Sequence, residues 1–198
     1  MVNFSSISAL FLSLFMGAAP VAEKETKVAS EKPLVLVEDA TNKGGVLIDD
    51  FSTEIWSWWD SGSEKWDRER DGEVLKVKAK GVGKDYECFG KQFDPIDFTK
   101  NPVMRLKIKS DEDVKVRIDL KDVDGFVANA KPIVKTIEKS DEFQTVEFDF
   151  TGRWTQSWPD KQEVDAVEIV ELLVFLNPGG PAFSGTVWMD DIIALPAE

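Results

Sequence analysis

The chain of 198 residues contains no histidine, one cysteine and one tyrosine. Without histidine it lacks the usual general base near neutral pH and the commonest zinc ligand, so serine and cysteine triads that depend on an imidazole are excluded. Cys88, alone, can form no internal disulfide and reads as a small buried hydrophobe rather than a nucleophile. Bases are scarce as well: 24 Lys and Arg stand against 37 Asp and Glu, a net charge of -13. Such a balance repels nucleic acid and anionic membrane surfaces, and suits cations or neutral partners. Nor is there an apolar run long enough to span a bilayer. The longest, "ISALFLSLFMGAA" at residues 7–19, is followed by small residues and then by charged sequence. It reads as a secretory signal with a cut after Ala22, although "MVNFSS" supplies no Lys or Arg ahead of it. No cysteine follows the run, so a lipid anchor is not indicated.

What is present is aromatic and alternating. Residues 23–45 are rich in Glu, Lys, Thr and Ala and read as a linker, with "LVLV" at residues 34–37 as its one candidate edge strand. From Val46 to Leu195 the dominant period is two, the mark of strands with one buried face. Met104, Leu106 and Ile108 alternate with Arg105, Lys107 and Lys109; Val114, Val116, Ile118 and Leu120 alternate with Lys115, Arg117, Asp119 and Lys121. The pattern recurs in "VLKVKAKG" from Val74 and in "TVEFDF", where Val146, Phe148 and Phe150 form the inner set. Turn signals separate these runs: Asp71-Gly72, Asp124-Gly125, Asn101-Pro102, Asn177-Pro178 and two "SDE" triplets. The segment "EVDAVEIVELLVFL" allows one helical turn near residues 164–167, then a strand from Ile169 to Leu176 buried on both faces. Many short strands so spaced, in about 150 residues, predict an all-β, two-sheet β-sandwich of jelly-roll type.

The order of landmarks resembles a known family of domains. "VLIDDF" opens the domain, a tryptophan-bearing loop follows, then "DGEVLKVKAKG", "VMRLKIKSDEDVKVRIDLKDVDG" and "EFQTVEFDFTGRW", and "GTVWMDDIIAL" closes it. This order is similar to the galactose-binding-like jelly roll of carbohydrate-binding modules, loosely those of families 11 and 30. The resemblance implies first and last strands lying side by side, with a structural calcium (Ca2+) where they meet. Asp50 and Asp190 are the residues it would use, or Asp191 in place of Asp190, since parity sets Val187, Met189 and Asp191 on one face and Trp188 and Asp190 on the other. The duller alternative is that each Asp caps a strand end.

The resemblance also implies a glycan site on one sheet or its loops, where aromatic rings stack on sugars and a few polar groups bond hydroxyls. Arg117 and Asp119, on the wet face of an expected central strand, make the expected hydroxyl clamp, with Arg105 and Lys107 as weaker candidates on the neighbouring strand. A solvated, salt-bridged face is the competing explanation for any one of these charges. Of the seven tryptophans, four fall in "IWSWWDSGSEKW". Alternation sends Trp58 and Trp59 to opposite faces, so one is expected to plug the sandwich end and another to stay outside. Trp58 and Trp59, with Trp154 and Trp158 of "RWTQSWPD", are the candidate stacking residues; Phe51, Phe89, Phe93, Phe148 and Phe150 suffice for a core.

Catalysis finds little support. Among 37 acids a pair of carboxylates means nothing by itself, and Gly179-Gly180 reads as a strand-connecting turn, since no Lys-Ser or helix start follows it. The expected function is therefore a noncatalytic, secreted or periplasmic carbohydrate-binding protein. Its partner would be a polysaccharide, such as a β-glucan or another plant or algal glycan, bound alone or beside a separate glycan-degrading enzyme. The alternatives are a secreted structural or protein-interaction jelly roll and, behind it, a glycan-degrading enzyme.

Overall fold

The computed structural model describes residue 41, residues 43–62 and residues 64–197. The expected signal segment, the candidate edge strand at 34–37 and nearly all of the expected linker lie outside the described residues. No helix among the described residues is long and apolar enough to cross a membrane.

Alternating sequence produces alternating burial here. The described residues form thirteen strands: β1 (Val46–Asp49), β2 (Trp58–Asp60), β3 (Trp66–Asp71), β4 (Val74–Val82), β5 (Cys88–Ile96), β6 (Val103–Ser110), β7 (Val114–Asp122), β8 (Ile133–Ile137), β9 (Gln144–Asp149), β10 (Thr155–Gln156), β11 (Gln162–Glu163), β12 (Ile169–Leu176) and β13 (Phe183–Leu195). One sheet runs β3-β4-β13-β6-β9 with β1 also paired to β13; the other runs β2-β5-β12-β7-β8; β10 and β11 form a small hairpin. Pairing is antiparallel throughout. This is the two-sheet sandwich that the period of two predicts, built as a jelly roll.

Inward positions of the two sheets meet in one core. Leu75, Val77, Met104, Leu106, Ile108, Val187 and Met189 come from the first sheet, and Phe89, Val116, Ile118, Leu120, Leu172 and Val174 from the second. Phe51, Phe148 and Phe150 join them as expected, while Phe93 is only partly buried at the margin. β12 is the strand buried on both faces, with the bounds its apolar run suggested. A turn spans the residues just before it, where one helical turn was allowed.

Two expectations fail for topological reasons. The strand that carries Arg105 and Lys107 does not neighbour the one that carries Arg117 and Asp119; the "SDED" segment between them crosses from one layer to the other, because β6 belongs to the first sheet and β7 to the second. Arg105 and Lys107 therefore stand on the opposite side of the molecule's two-layer core from Arg117. Parity along β13 also breaks. A bulge between Asp190 and Ile193, with Asp191 at φ 47°, shifts the register, so Val187 and Met189 face the core before it and Ile192 and Ala194 after it. Asp191 is thereby released from the inward set and pairs with outward-facing Lys107, Oδ2 to Nζ 2.6 Å.

The loop between β4 and β5 is held by Glu87, which is buried. One of its oxygens accepts from the amides of Gly83 (2.9 Å) and Lys84 (3.0 Å), and the other meets the Lys65 ammonium. The Lys65 bond, chiefly, holds the carboxyl down at about 2 against the opposing effect of burial. A folded value below the unfolded one contributes stability that is complete above about 4.5 and is lost as pH falls toward 2. Glu87→Gln is accordingly expected to lower the melting temperature at neutral pH, with the gap to wild type closing as pH drops through that window, as followed by circular dichroism.

Candidate functional site

The outward face of the second sheet brings together four of the six expected ligand residues, and antiparallel register explains how. Residues directly opposite one another share a face. Trp59 lies opposite Gly90, Gly90 opposite Leu173, and Leu173 opposite Asp119. One step along, Cys88, Phe175, Arg117 and Val134 form the next row; in the other direction stand Gln92, Glu171 and Lys121. Cys88, Leu173 and Phe175 make a small second apolar cluster there, with Trp59 and Val127 packed against it. The face is thus not simply wet: Asp119 is 1% exposed and Glu171 2%.

Arg117 is fixed from three directions. Its guanidinium carbon sits 3.9 Å from the Phe175 ring centroid, Nη1 bonds Asp85 Oδ1 at 3.0 Å, and Nε lies 3.3 Å from Asp119 Oδ1. The last contact is an ion pair that misses hydrogen-bond geometry, and Asp119 Oδ1 accepts no hydrogen bond. Burial drives the Asp119 carboxyl up to about 6, with Arg117 opposing and Asp85 reinforcing the rise. The Cys88 thiol nearby is pushed up to about 11, again chiefly by burial, as befits a structural cysteine.

A groove of about 750 Å³ opens beside this pair, lined by Arg117, Val134, Asp85, Tyr86, Asn129 and Trp158, among others. Trp158 is 77% exposed and Tyr86 68%. The Trp158 loop is tied down next door, where Asn129 Oδ1 accepts from both the amide and the hydroxyl of Ser157, at 2.9 and 3.0 Å. An exposed indole beside an immobilised guanidinium is able to stack on an apolar ring face while polar neighbours meet hydroxyls.

The candidate tryptophans divide by burial. Trp59 lies half-buried on the outward face, its Nε1 donating to Glu171 Oε1 at 2.6 Å. Gly90 makes this possible: a Cβ there would sit 2.6 Å from the Leu172 carbonyl oxygen and 3.0 Å from the Trp59 ring. Trp58 turns inward, 4% exposed, stacked among Phe51 and Phe89 with its Nε1 on Asp49. Trp154 packs over Phe150 and edge-on to Phe98 against the core. Trp58, at the start of β2, is thus part of the core, and Trp154 is half-buried against it. Arg117, Asp119, Trp59 and Trp158 share one side. Tyr86, Asp85 and Asn129 were missed; nothing in their local sequence sets them apart, as they reach the groove only through loop placement.

At the expected calcium corner the aspartates already have partners within the chain. Asp50 Oδ1 accepts from the amide and hydroxyl of Ser52, Asp190 Oδ1 accepts from the Asp191 amide, and Lys107 already brings positive charge to Asp191. Among the described residues no group of three or more His, Cys, Asp or Glu is placed to hold a metal ion. Calcium takes six to eight oxygens, backbone carbonyls among them, of which the Asp50 and Asp190 carboxylates would supply a part.

Comparison with known proteins establishes the fold. The chain is similar to a family 11 carbohydrate-binding module from Clostridium thermocellum, solved in complex with a β-1,3-1,4-mixed-linked tetrasaccharide, at 16% identity and TM-score 0.52, covering 77% of this chain and 96% of that one. It is also similar to an agarase, at 12% identity and TM-score 0.57 over 78% of this chain, and to an exo-β-agarase, at 16% identity and TM-score 0.53 over 77%. It spans only 25% of each agarase. No family model and no curated protein sequence matches. The molecule is a jelly-roll β-sandwich with the fold of that family 11 module, and the expected resemblance holds at the level of fold.

The two classes of indole are separable by stability. Trp58→Ala is expected to destabilise the fold by about 3–5 kcal/mol, the usual range for deleting a core aromatic, whereas Trp158→Ala leaves the denaturation midpoint within error of wild type. Urea unfolding monitored by far-ultraviolet circular dichroism checks both.

Proposed function

We propose that this protein is a noncatalytic carbohydrate-binding protein, acting outside the cytoplasm, that takes a neutral polysaccharide along the groove beside Arg117. The observation that carries the reading is the pairing of exposed Trp158 with the immobilised Arg117 guanidinium in one groove. A pyranose presents an apolar face to an indole and hydroxyls at its rim, which is the pattern this pairing complements. The net charge of -13 disfavours polyanionic glycans. The two carboxylates nearest the groove, Asp85 and Asp119, both serve Arg117, which suits hydroxyl recognition better than the division of roles between acid and nucleophile that glycoside hydrolysis needs. The apolar stretch at residues 7–19 supports export. A glycan-degrading enzyme nearby would be the natural beneficiary of such binding.

Because the family 11 module holds a mixed-linked β-1,3-1,4-glucan fragment, that polymer is the first ligand to try. Affinity electrophoresis through gels containing mixed-linked β-glucan, mannan, xylan or agarose should retard the wild-type protein in at least one. Trp158→Ala should weaken that binding roughly tenfold or more, the loss of one stacking contact of about 1.4 kcal/mol, without unfolding the domain. Unchanged migration in every gel would overturn the glycan reading in favour of a jelly roll that binds protein.

A further inference from the structure

Asp119 is an odd residue to find on purely structural grounds. A carboxylate retained for the fold is normally saturated with hydrogen bonds, yet its Oδ1 accepts none although the side chain is almost wholly enclosed. Its one charged partner is Arg117, which lines the groove that Asp119 itself does not reach. The other groups facing it are few. The loop ahead of β5 brings Asp85, β5 brings the Cys88 thiol, and β12 brings Glu171, already paired with Lys121. β8 sets Val134 opposite Arg117, while its Lys135 stands at the register of inward-facing Val116. Among the described residues, Arg117 is the cation that bears on Asp119.

We propose that the groove loses affinity for its glycan when Asp119 takes up a proton, Asp119 acting as a positioning residue through Arg117. This rests on the glycan reading above. With Asp119 ionised, the guanidinium is held between a buried counter-ion at Nε and Asp85 at Nη1, flat on Phe175. A proton from solvent placed on the Asp119 carboxylate removes the buried counter-ion. Arg117 then keeps the Phe175 ring and, as its one remaining carboxylate, Asp85, whose side chain is 70% exposed and whose ion pair is therefore weak, beside a 3.4 Å bond from Nη2 to the Asp85 carbonyl. The guanidinium gains freedom that a bound sugar must again remove, so affinity falls. Burial places this change in the mildly acidic range, since the carboxyl titrates at about 6.

The test is isothermal titration of the full chain with mixed-linked β-glucan oligosaccharide at about pH 7.5 and about pH 5, where binding by the ionised form alone predicts roughly tenfold weaker affinity at the lower pH. Asp119→Asn should bind weakly at both, with the pH ratio abolished, while Asp85→Asn should keep the ratio. In parallel, NMR titration of the ligand-free wild type should show the Asp119 carboxyl carbon and Arg117 Nε moving together with a midpoint at about 6. Equal affinity at the two pH values overturns the proposal, as does glycan binding accompanied by an Asp119 midpoint near ~4, the ordinary value. Should Asp119 and Arg117 titrate together while no glycan binds at either pH, the glycan reading has failed and has taken this proposal with it.

Discussion

Thirteen consecutive residues of β13 hydrogen-bond to three other strands, and the first sheet exists because they do. One edge pairs with β6 along most of its length; the other pairs with β4 up to Met189 and with β1 from Ile192. A bulge against β6 at Asp190 and Asp191 falls where the other edge passes from β4 to β1, and it resets which side chains face inward so that the core continues through Ile192 and Ala194. Asp191 adopts a positive φ there and is held by Lys107.

The outward face of the second sheet, which carries the candidate site, is only partly polar. β12 is buried on both sides, so Leu173 and Phe175 build a shallow apolar floor outside the main core. Charges set on such a floor behave differently from charges in water. Arg117 lies flat on Phe175, Asp119 is pressed toward its neutral form by burial, and Glu171 is enclosed between Trp59 and Lys121. A floor of this kind makes polar side chains rigid, which is what recognition of hydroxyl groups asks of them.

Much of the architecture was legible because alternation is a local property. Met104, Leu106 and Ile108 face inward, as do Val114, Val116, Ile118 and Leu120, since each strand pleats regardless of its neighbours. The continuous apolar run at Ile169–Leu176 marked the doubly buried strand for the same reason. Parity alone put Arg117 and Asp119 on one outward face. Legibility stopped where pairing became long-range. Nothing local says that the chain changes sheets between β6 and β7, so Arg105 and Lys107 were set beside the wrong strand. Parity along β13 misled once a bulge entered it, and a glycine such as Gly90 shows its purpose only when the Trp59 ring lies across it.

By itself, then, the order of residues determined the class of fold, the inward and outward sets of each regular strand, and the exclusion of imidazole chemistry, because these depend on composition and on a two-residue period. The tertiary structure alone decided which indoles plug and which remain outside. Trp58 and Trp59 are adjacent and chemically identical, yet one is packed on Phe89 and the other spans Gly90 on the outer face. It also decided that Trp158, Tyr86 and Asp85, from separate loops, meet beside Arg117. Burial of a side chain in a loop is set by what folds over it, and that is a property of segments far away in the chain.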